Sequence, residues 1–238
     1  MPAHKLPPLK YKWTPELAYA VGLLVTDGCM YRDGRHINFT SKDLQLIEAF
    51  KSCLGLENKV QGKSRGGSKK KDCFQITFGR VQLYQWLIGI GLSPAKTHTI
   101  GKIKVPNKYF SNFVRGHLDG DGSIISYYDN YENYHGRTYN NFRVYTRFIS
   151  ASKLHAEWLY KKITEITGIK GAIIINKPRF DKHVPLYQIK FSKKSSLELF
   201  KWIYYNKSVP CLKRKRDIAE RAIIAAKNET RKPYRFIN

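Results

Sequence analysis

Leu17-Ala18-Tyr19-Ala20-Val21-Gly22-Leu23-Leu24-Val25-Thr26-Asp27-Gly28 is an apolar run that closes on an acid and a glycine. Thr14 is placed to cap it as a helix, Pro15 suits the first helical position, and Glu16 favours the positive end of the dipole. Gly28 is the expected helix stop. The run recurs as Phe113-Val114-Arg115-Gly116-His117-Leu118-Asp119-Gly120-Asp121-Gly122. With Asp27 aligned on Asp121, Gly22 falls on Gly116 and Gly28 on Gly122.

Interior glycine costs a helix roughly 1 kcal/mol and wants a reason. Ala18 and Gly22 lie one turn apart, as do Asn112 and Gly116, and small residues at that spacing let two helix backbones approach closely. Recurrence in both copies favours helix-on-helix packing over chance. The aspartates are then anomalous. Each sits at the negative end of a helix dipole, and packing the helices together adds mutual repulsion. A divalent cation reverses the sign of both penalties, and carboxylates, carbonyls and phosphates are the oxygen ligands Mg²⁺ prefers.

The chain has 238 residues, enough for one large domain or two ordinary ones, and 42% of them are apolar. Its 43 Lys+Arg against 18 Asp+Glu give a net charge of +25, which calls for a polyanionic partner, nucleic acid first and acidic membrane second. No apolar run approaches a membrane span, and the amino-terminal residues lack a signal peptide's apolar segment. Cys29, Cys53, Cys73 and Cys211 form no CxxC pair, so neither a zinc site nor a disulfide framework is suggested and a reducing interior fits. Gly62-Lys63-Ser64 is not a phosphate-binding P-loop, because position 57 is Glu.

Along the chain the motif helix leads into a hairpin with a turn at Asp33-Gly34, in which Ile37 and Phe39 share one face and His36, Asn38 and Thr40 the other. Residues 42–54 show helical spacing. Strands are expected at 60–63 and 74–78, and a helix at 81–90. A basic irregular stretch spans 96–106. The order then restarts: motif helix, a tyrosine-rich segment, a strand at 142–148, a helix at 153–168, a hairpin of 172–176 and 186–191, and closing helices at 195–205 and 212–227. The separation of matched residues grows from 94 at the aspartates to 113 at Phe74 and Tyr187, so the second copy carries an insertion near residues 127–139. This predicts an α+β protein of two pseudo-symmetric αββαββα units, 1–100 and 109–238 with a linker at 101–108, packed through the two motif helices.

The two segments resemble the LAGLIDADG motif of homing endonucleases, with residues 20–28 and 114–122 on its nine positions. The second copy keeps both acids, Asp119 and Asp121, whereas the first has Val25 at the earlier one. The resemblance covers nearly the whole chain and implies the single-chain, two-motif type, whose two antiparallel sheets form a saddle over DNA. It implies that Asp27 and Asp121 bind the catalytic metals with the carbonyls of Thr26 and Gly120. Mg²⁺ is the expected ion, with Mn²⁺ substituting and Ca²⁺ binding without turnover. It further implies a polar residue ordering the attacking water, carried over onto Ser41 and Ser152, and a basic residue near the scissile phosphate, carried over onto Lys96 and Lys215.

The strands supply the surface. Arg143, Tyr145 and Arg147 alternate with apolar residues, as do Gln188 and Lys190, and Gln75 and Thr77; with His36, Asn38 and Thr40 they are of the kinds that read base edges in the major groove. Lys69, Lys70, Lys71, Lys213 and Arg214 are expected on the DNA backbone, supplying affinity without sequence information, and Lys63, Arg65, Lys177 and Arg179 are also expected to bind DNA. The expected protein is a monomer that makes a metal-dependent double-strand break in a long, partly pseudo-palindromic target, inside the cell where the host DNA is. The rivals are a cleavage-inactive maturase or transcriptional regulator of the same fold, and a generic basic scaffold without sequence preference.

Overall fold

The computed structural model describes residues 11–64, 71–132, 138–176 and 184–230. Helix α1 (Pro15–Asp27) begins where Thr14 Oγ1 accepts the Leu17 N–H at 3.1 Å. Every residue from Leu17 to Val25 is buried, so this helix is covered on all sides. A first unit follows: β1 (Gly28–Met30), β2 (His36–Ser41), α2 (Leu44–Cys53), β3 (Gln61–Ser64), β4 (Lys71–Gly79) and α3 (Val81–Ile90). After a single 3₁₀ turn, α4 (Phe110–Asp121) opens the second: β5 (Ser123–Glu132), β6 (Thr138–Ser150), α5 (Lys153–Thr167), β7 (Ala172–Asn176), β8 (Leu186–Phe191) and α6 (Lys193–Ile203). A last helix, α7 (Lys213–Thr230), has no counterpart in the first unit. The sheets are antiparallel and ordered alike, β1-β2-β4-β3 and β5-β6-β8-β7. The molecule is an α+β protein of two repeated units.

Helices α1 and α4 pack backbone to backbone. A Cβ on Gly22 would lie 2.3 Å from the Phe113 carbonyl oxygen, and one on Gly116 would lie 2.1 Å from that of Tyr19. Only glycine permits an approach this close, and the two do so reciprocally, as a two-fold repeat requires. Gly28 is the helix stop that the sequence predicts, and Gly122 stops α4 in the same way. Both are extended (φ −80°, ψ 146° and 164°) and feed straight into strands. Their missing side chains make room for Leu24 and Leu118 instead.

Strand pairing aligns the units residue by residue. Cys29 faces Asn38 as Ser123 faces Arg147, and Ser41 faces Phe74 as Ser150 faces Tyr187. Asn38 therefore corresponds to Arg147, Ser41 to Ser150, Gln75 to Gln188 and Thr77 to Lys190. The tyrosine-rich insertion is a lengthening of one hairpin, whose strands β5 and β6 stay paired from Ser123↔Arg147 to Glu132↔Thr138. Period-2 alternation explains this, with Phe142, Val144 and Phe148 buried and Arg143, Tyr145 and Arg147 partly open.

The stretch between the units lacks regular structure but is fastened down. Ile100, Ile103 and Val105 are buried, and the Lys104 N–H donates to the Ile90 carbonyl at 2.8 Å. Helix α7 reaches back across both halves: Arg214 pairs with Asp43 at 2.8 Å, and the Lys213 N–H donates to Gln45 Oε1 at 3.1 Å. No helix among the described residues is long and apolar enough to cross a membrane.

Candidate active site and nucleic-acid interface

Because α1 and α4 touch along their length, their acidic ends arrive together. A Cβ on Gly120 would fall 1.9 Å from Thr26 Oγ1 and 2.8 Å from Asp27 Oδ2, so the end of one motif helix abuts the carboxylate of the other. Burial first, and the charge of Asp121 second, push the Asp27 carboxyl up to about 6. Burial also raises Asp121, although one side of it remains open to water. Thr26 Oγ1 donates to the Leu23 carbonyl at 2.9 Å and to Asp27 Oδ2 at 3.2 Å, which steadies that carboxylate. Two like charges held together in a crevice with raised pKa values form a poor resting arrangement and a good cation site.

The donor set is all oxygen. Among the described residues no group of three or more His, Cys, Asp or Glu forms a cage for a metal. Two carboxylates with open water on one side suit a hard cation such as Mg²⁺, which keeps waters and takes phosphate oxygens to complete its shell. They do not suit zinc, which seeks nitrogen and sulfur.

Lys96 and Lys215 are equivalent, and both are buried. The Lys96 ammonium donates to the Gly28 carbonyl, and that of Lys215 to Gly122 at 2.7 Å. Lys215 also reaches the carbonyls of Leu118 (2.6 Å), Asp119 (2.8 Å) and Gly120 (3.3 Å), so it caps the C-terminus of α4. Each cation therefore sits behind its aspartate at the negative end of a helix dipole. Burial lowers both ammoniums, Lys215 to about 8, with Asp119 pulling the other way. The Gly120 carbonyl, expected as a metal ligand, accepts from Lys215 here. Lys215→Met leaves buried carbonyls unpaired at the end of α4. Urea titration should show a loss of about 2–3 kcal/mol, the cost of stranding one or two acceptors; an unchanged midpoint would refute the capping role.

The serine assignment needs a correction. Ser152 is the N-cap of α5: its Oγ accepts the His155 N–H at 3.4 Å, donates to the Ile100 carbonyl at 2.5 Å, and is buried. The partner of Ser41 is Ser150. Ser41 Oγ accepts the Asp43 N–H at 3.1 Å just as Ser150 Oγ accepts the Ser152 N–H at 3.1 Å. Ser150 also lines a cavity of about 70 Å³ that Asp121, Thr26, Lys96, His117 and His155 share.

The roles of four side chains here escape sequence reading. Burial keeps His117 and His155 uncharged, the latter at about 4. His155 Nδ1 can only donate to the Gly101 carbonyl at 2.8 Å, so its Nε2 accepts from His117 Nε2 at 3.1 Å. Arg115, fully buried, donates to the carbonyls of Pro210 and Ile203 and to Asn112 Oδ1, tying α4 to the loop before α7. Asp119, also fully buried, accepts from Tyr19 Oη at 2.9 Å and from the Leu212 N–H at 2.7 Å, which anchors the start of the helix bearing Lys215.

The predicted surface residues group by sheet. His36, Asn38, Thr40, Gln75 and Thr77 share one face of the first sheet, opposite the core residues Ile37, Phe39, Ile76 and Phe78. Arg143, Tyr145, Arg147, Gln188 and Lys190 share the matching face of the second. His36 is held by Asp33 at 2.5 Å, Arg143 by Asp129 at 3.3 Å, and Arg214 by Asp43. Lys63 and Lys213 are exposed. Arg65, Lys69, Lys70, Lys177 and Arg179 lie outside the described residues, as does the side chain of Lys71.

No family model and no curated relative matches the sequence. Solved structures do match. The homing endonuclease I-LtrWI, bound to its target DNA, superposes with a TM-score of 0.57 over 91% of this chain and 91% of its own, at 11% identity. The meganuclease I-SmaMI, also bound to DNA, superposes at 0.56 over 92% of each chain, at 15% identity. This chain has the LAGLIDADG homing-endonuclease fold. Full-length DUF199/WhiA from Thermatoga maritima is similar over 95% of this chain and 66% of its own, with a TM-score of 0.52 and 16% identity. In the LAGLIDADG fold the motif helices are α1 and α4, and Asp27 and Asp121 close them.

Proposed function

We propose that this protein is a divalent-metal-dependent endonuclease that makes a double-strand break in a long, specific DNA target. The observation that carries the reading is the meeting of Asp27 and Asp121 at the ends of two backbone-packed helices. Two strand faces rich in basic and amide side chains flank that point, and the chain's +25 charge suits a polyanion. Two proteins of the same fold, I-LtrWI and I-SmaMI, were solved bound to DNA. I-SmaMI was also solved on an uncleaved target with calcium ions present.

In this reading Asp27 and Asp121, with the Thr26 carbonyl, hold the cation, one aspartate for each strand. Cation chemistry at such a pair is activation of water and stabilisation of the leaving 3′-oxygen. The chain's own residues do the rest. Lys96 and Lys215 hold the two helix ends and add positive charge behind the scissile phosphates. In this reading Ser41 and Ser150 order the attacking water, and Ser150 lines the cavity that Asp121 shares. The faces of the two sheets form the saddle, with Lys63 and Lys213 on phosphates. The units 1–100 and 109–238, joined through 101–108, act as one monomer inside the cell that holds the target.

The test is digestion of a randomised double-stranded library with Mg²⁺ or Mn²⁺, with Ca²⁺, and with EDTA. Discrete double-strand products in Mg²⁺, bound but intact DNA in Ca²⁺, and no products in EDTA are expected. Specific binding with no metal-dependent cutting would instead make this a binding protein that has kept the fold.

A further inference from the structure

The two units present their hydrogen-bonding groups unequally at equivalent places. Asn38 and Arg147 occupy the same position: each pairs with the residue two beyond a motif aspartate, Cys29 after Asp27 and Ser123 after Asp121. They therefore hold equivalent places in the two sheets, each on the strand paired with the one that leaves a motif aspartate.

Asn38 is buried and fully used. Its Nδ2 donates to Thr77 Oγ1 at 2.8 Å and to Gln75 Oε1 at 3.3 Å, and its Oδ1 accepts from Thr40 Oγ1 at 2.9 Å. The network continues outward, with Lys63 Nζ donating to Thr40 and Gln75 Nε2 to Gln61. A base edge offered to this face must displace bonds already made, so the net gain from choosing one base over another is small.

Arg147 is the opposite. None of its guanidinium N–H groups meets an acceptor among the described residues, and its Nε is shut away from solvent without a partner. Where Asn38 is surrounded by Thr40 and Thr77, the neighbours of Arg147 at those positions are Ile149 and Lys190, and neither can accept a hydrogen bond from a guanidinium. Lys190 is occupied over the Tyr145 ring, 4.2 Å from its centroid. The guanidinium fork matches one base edge, the N7 and O6 acceptors of guanine in the major groove.

We propose that Arg147 is the specificity-determining residue of the C-terminal half-site, reading a guanine at the pair nearest the cleavage centre, while the N-terminal half-site tolerates substitution at the symmetric pair. This rests on the DNA-cleaving function proposed above. It makes the target asymmetric in information, not only in sequence: one inner pair is fixed and its mirror image is loose.

The experiment is selection from a randomised duplex library in Ca²⁺. Binding to single-pair variants of the recovered consensus is then measured for the native protein, Arg147→Lys, Arg147→Ala and Asn38→Ala. The native chain should lose about 10–100-fold in affinity when the guanine of one inner pair is replaced, the worth of a bidentate contact. It should lose less than about 3-fold at the mirror pair, where bonds merely exchange. Arg147→Lys keeps the charge but not the fork, so it should bind the consensus more weakly and discriminate less than the native chain, and Arg147→Ala should lose the discrimination. Asn38→Ala frees the Thr40, Gln75 and Thr77 groups that it holds, so it should alter the preference at the mirror pair and leave the guanine preference as it was. Equal constraint at both inner pairs, or a fixed guanine that survives Arg147→Lys and Arg147→Ala, overturns the proposal alone. A library that returns no consensus overturns the DNA-cleaving function and the proposal with it.

Discussion

Asp27→Asn is expected to bind target DNA with affinity close to the native chain's and to cut it about 10³-fold more slowly, a loss of about 4 kcal/mol of transition-state stabilisation. The same variant should be more stable. Burial and Asp121 raise the Asp27 carboxyl from 3.8 to about 6. The unfolded chain ionises as pH passes the lower value, and the folded chain only as it passes the higher. Native stability therefore falls between about pH 4 and 6 and bears the whole cost above that window. At neutral pH the cost is up to about 3 kcal/mol, reduced by the part of the side chain still in water. The amide carries none of it. Calorimetry at pH 7.5 in EDTA should show Asp27→Asn melting about 5 °C above the native chain, with the gap closing towards pH 4. Adding Mg²⁺ should raise the native midpoint and leave the variant nearly unmoved. Undiminished cutting, or a variant no more stable in EDTA, would contradict the assignment of a strained carboxylate pair.

Gly116→Ala adds a single methyl group and should cost the chain its fold. The new carbon would lie 2.1 Å from the Tyr19 carbonyl oxygen, and its mirror in Gly22→Ala 2.3 Å from that of Phe113. Both obstacles are backbone, so no rotamer change relieves them, and α1 and α4 must separate. The penalty should exceed the roughly 1–3 kcal/mol of ordinary overpacking and consume much of a total stability of about 5–15 kcal/mol. Circular dichroism and urea titration should find Gly116→Ala unfolded or expanded at 37 °C. Gly89→Ala, where an added Cβ meets nothing within 4 Å and the backbone is helical in α3, should gain about 1 kcal/mol. Equal behaviour of the two variants would refute the close helix contact.

Much of this is legible in the sequence because it is written in local terms. The duplication shows in the spacing of Gly22, Asp27, Gly116 and Asp121, and the helix contact in the glycines that only a near neighbour would require. The strands show in their alternation. What is not legible depends on partners distant in sequence. In a chain with 43 basic residues, nothing local marks Lys215 as the one whose ammonium reaches four carbonyls at the end of α4. Nothing local shows that the acceptors of Arg115 are the carbonyls of residues 203 and 210. Ser152 takes the role in the sequence, and only strand pairing places Ser150 opposite Tyr187 and leaves Ser152 to cap α5. Asn38 and Arg147 both look like polar strand residues, and only the surrounding side chains separate a donor already spent from one still open.

The burial of α1 on every side has a consequence for the chain while it is being made. The helix leaves the ribosome before the surface that covers its glycine face, α4, which ends 94 residues later. At about 5–20 residues per second this is a wait of roughly 5–20 s during which an apolar cylinder has half its covering missing. Nascent chains stalled between the two helices should recruit chaperones and be cut readily by protease, and both signals should vanish once residue 121 has cleared the exit tunnel.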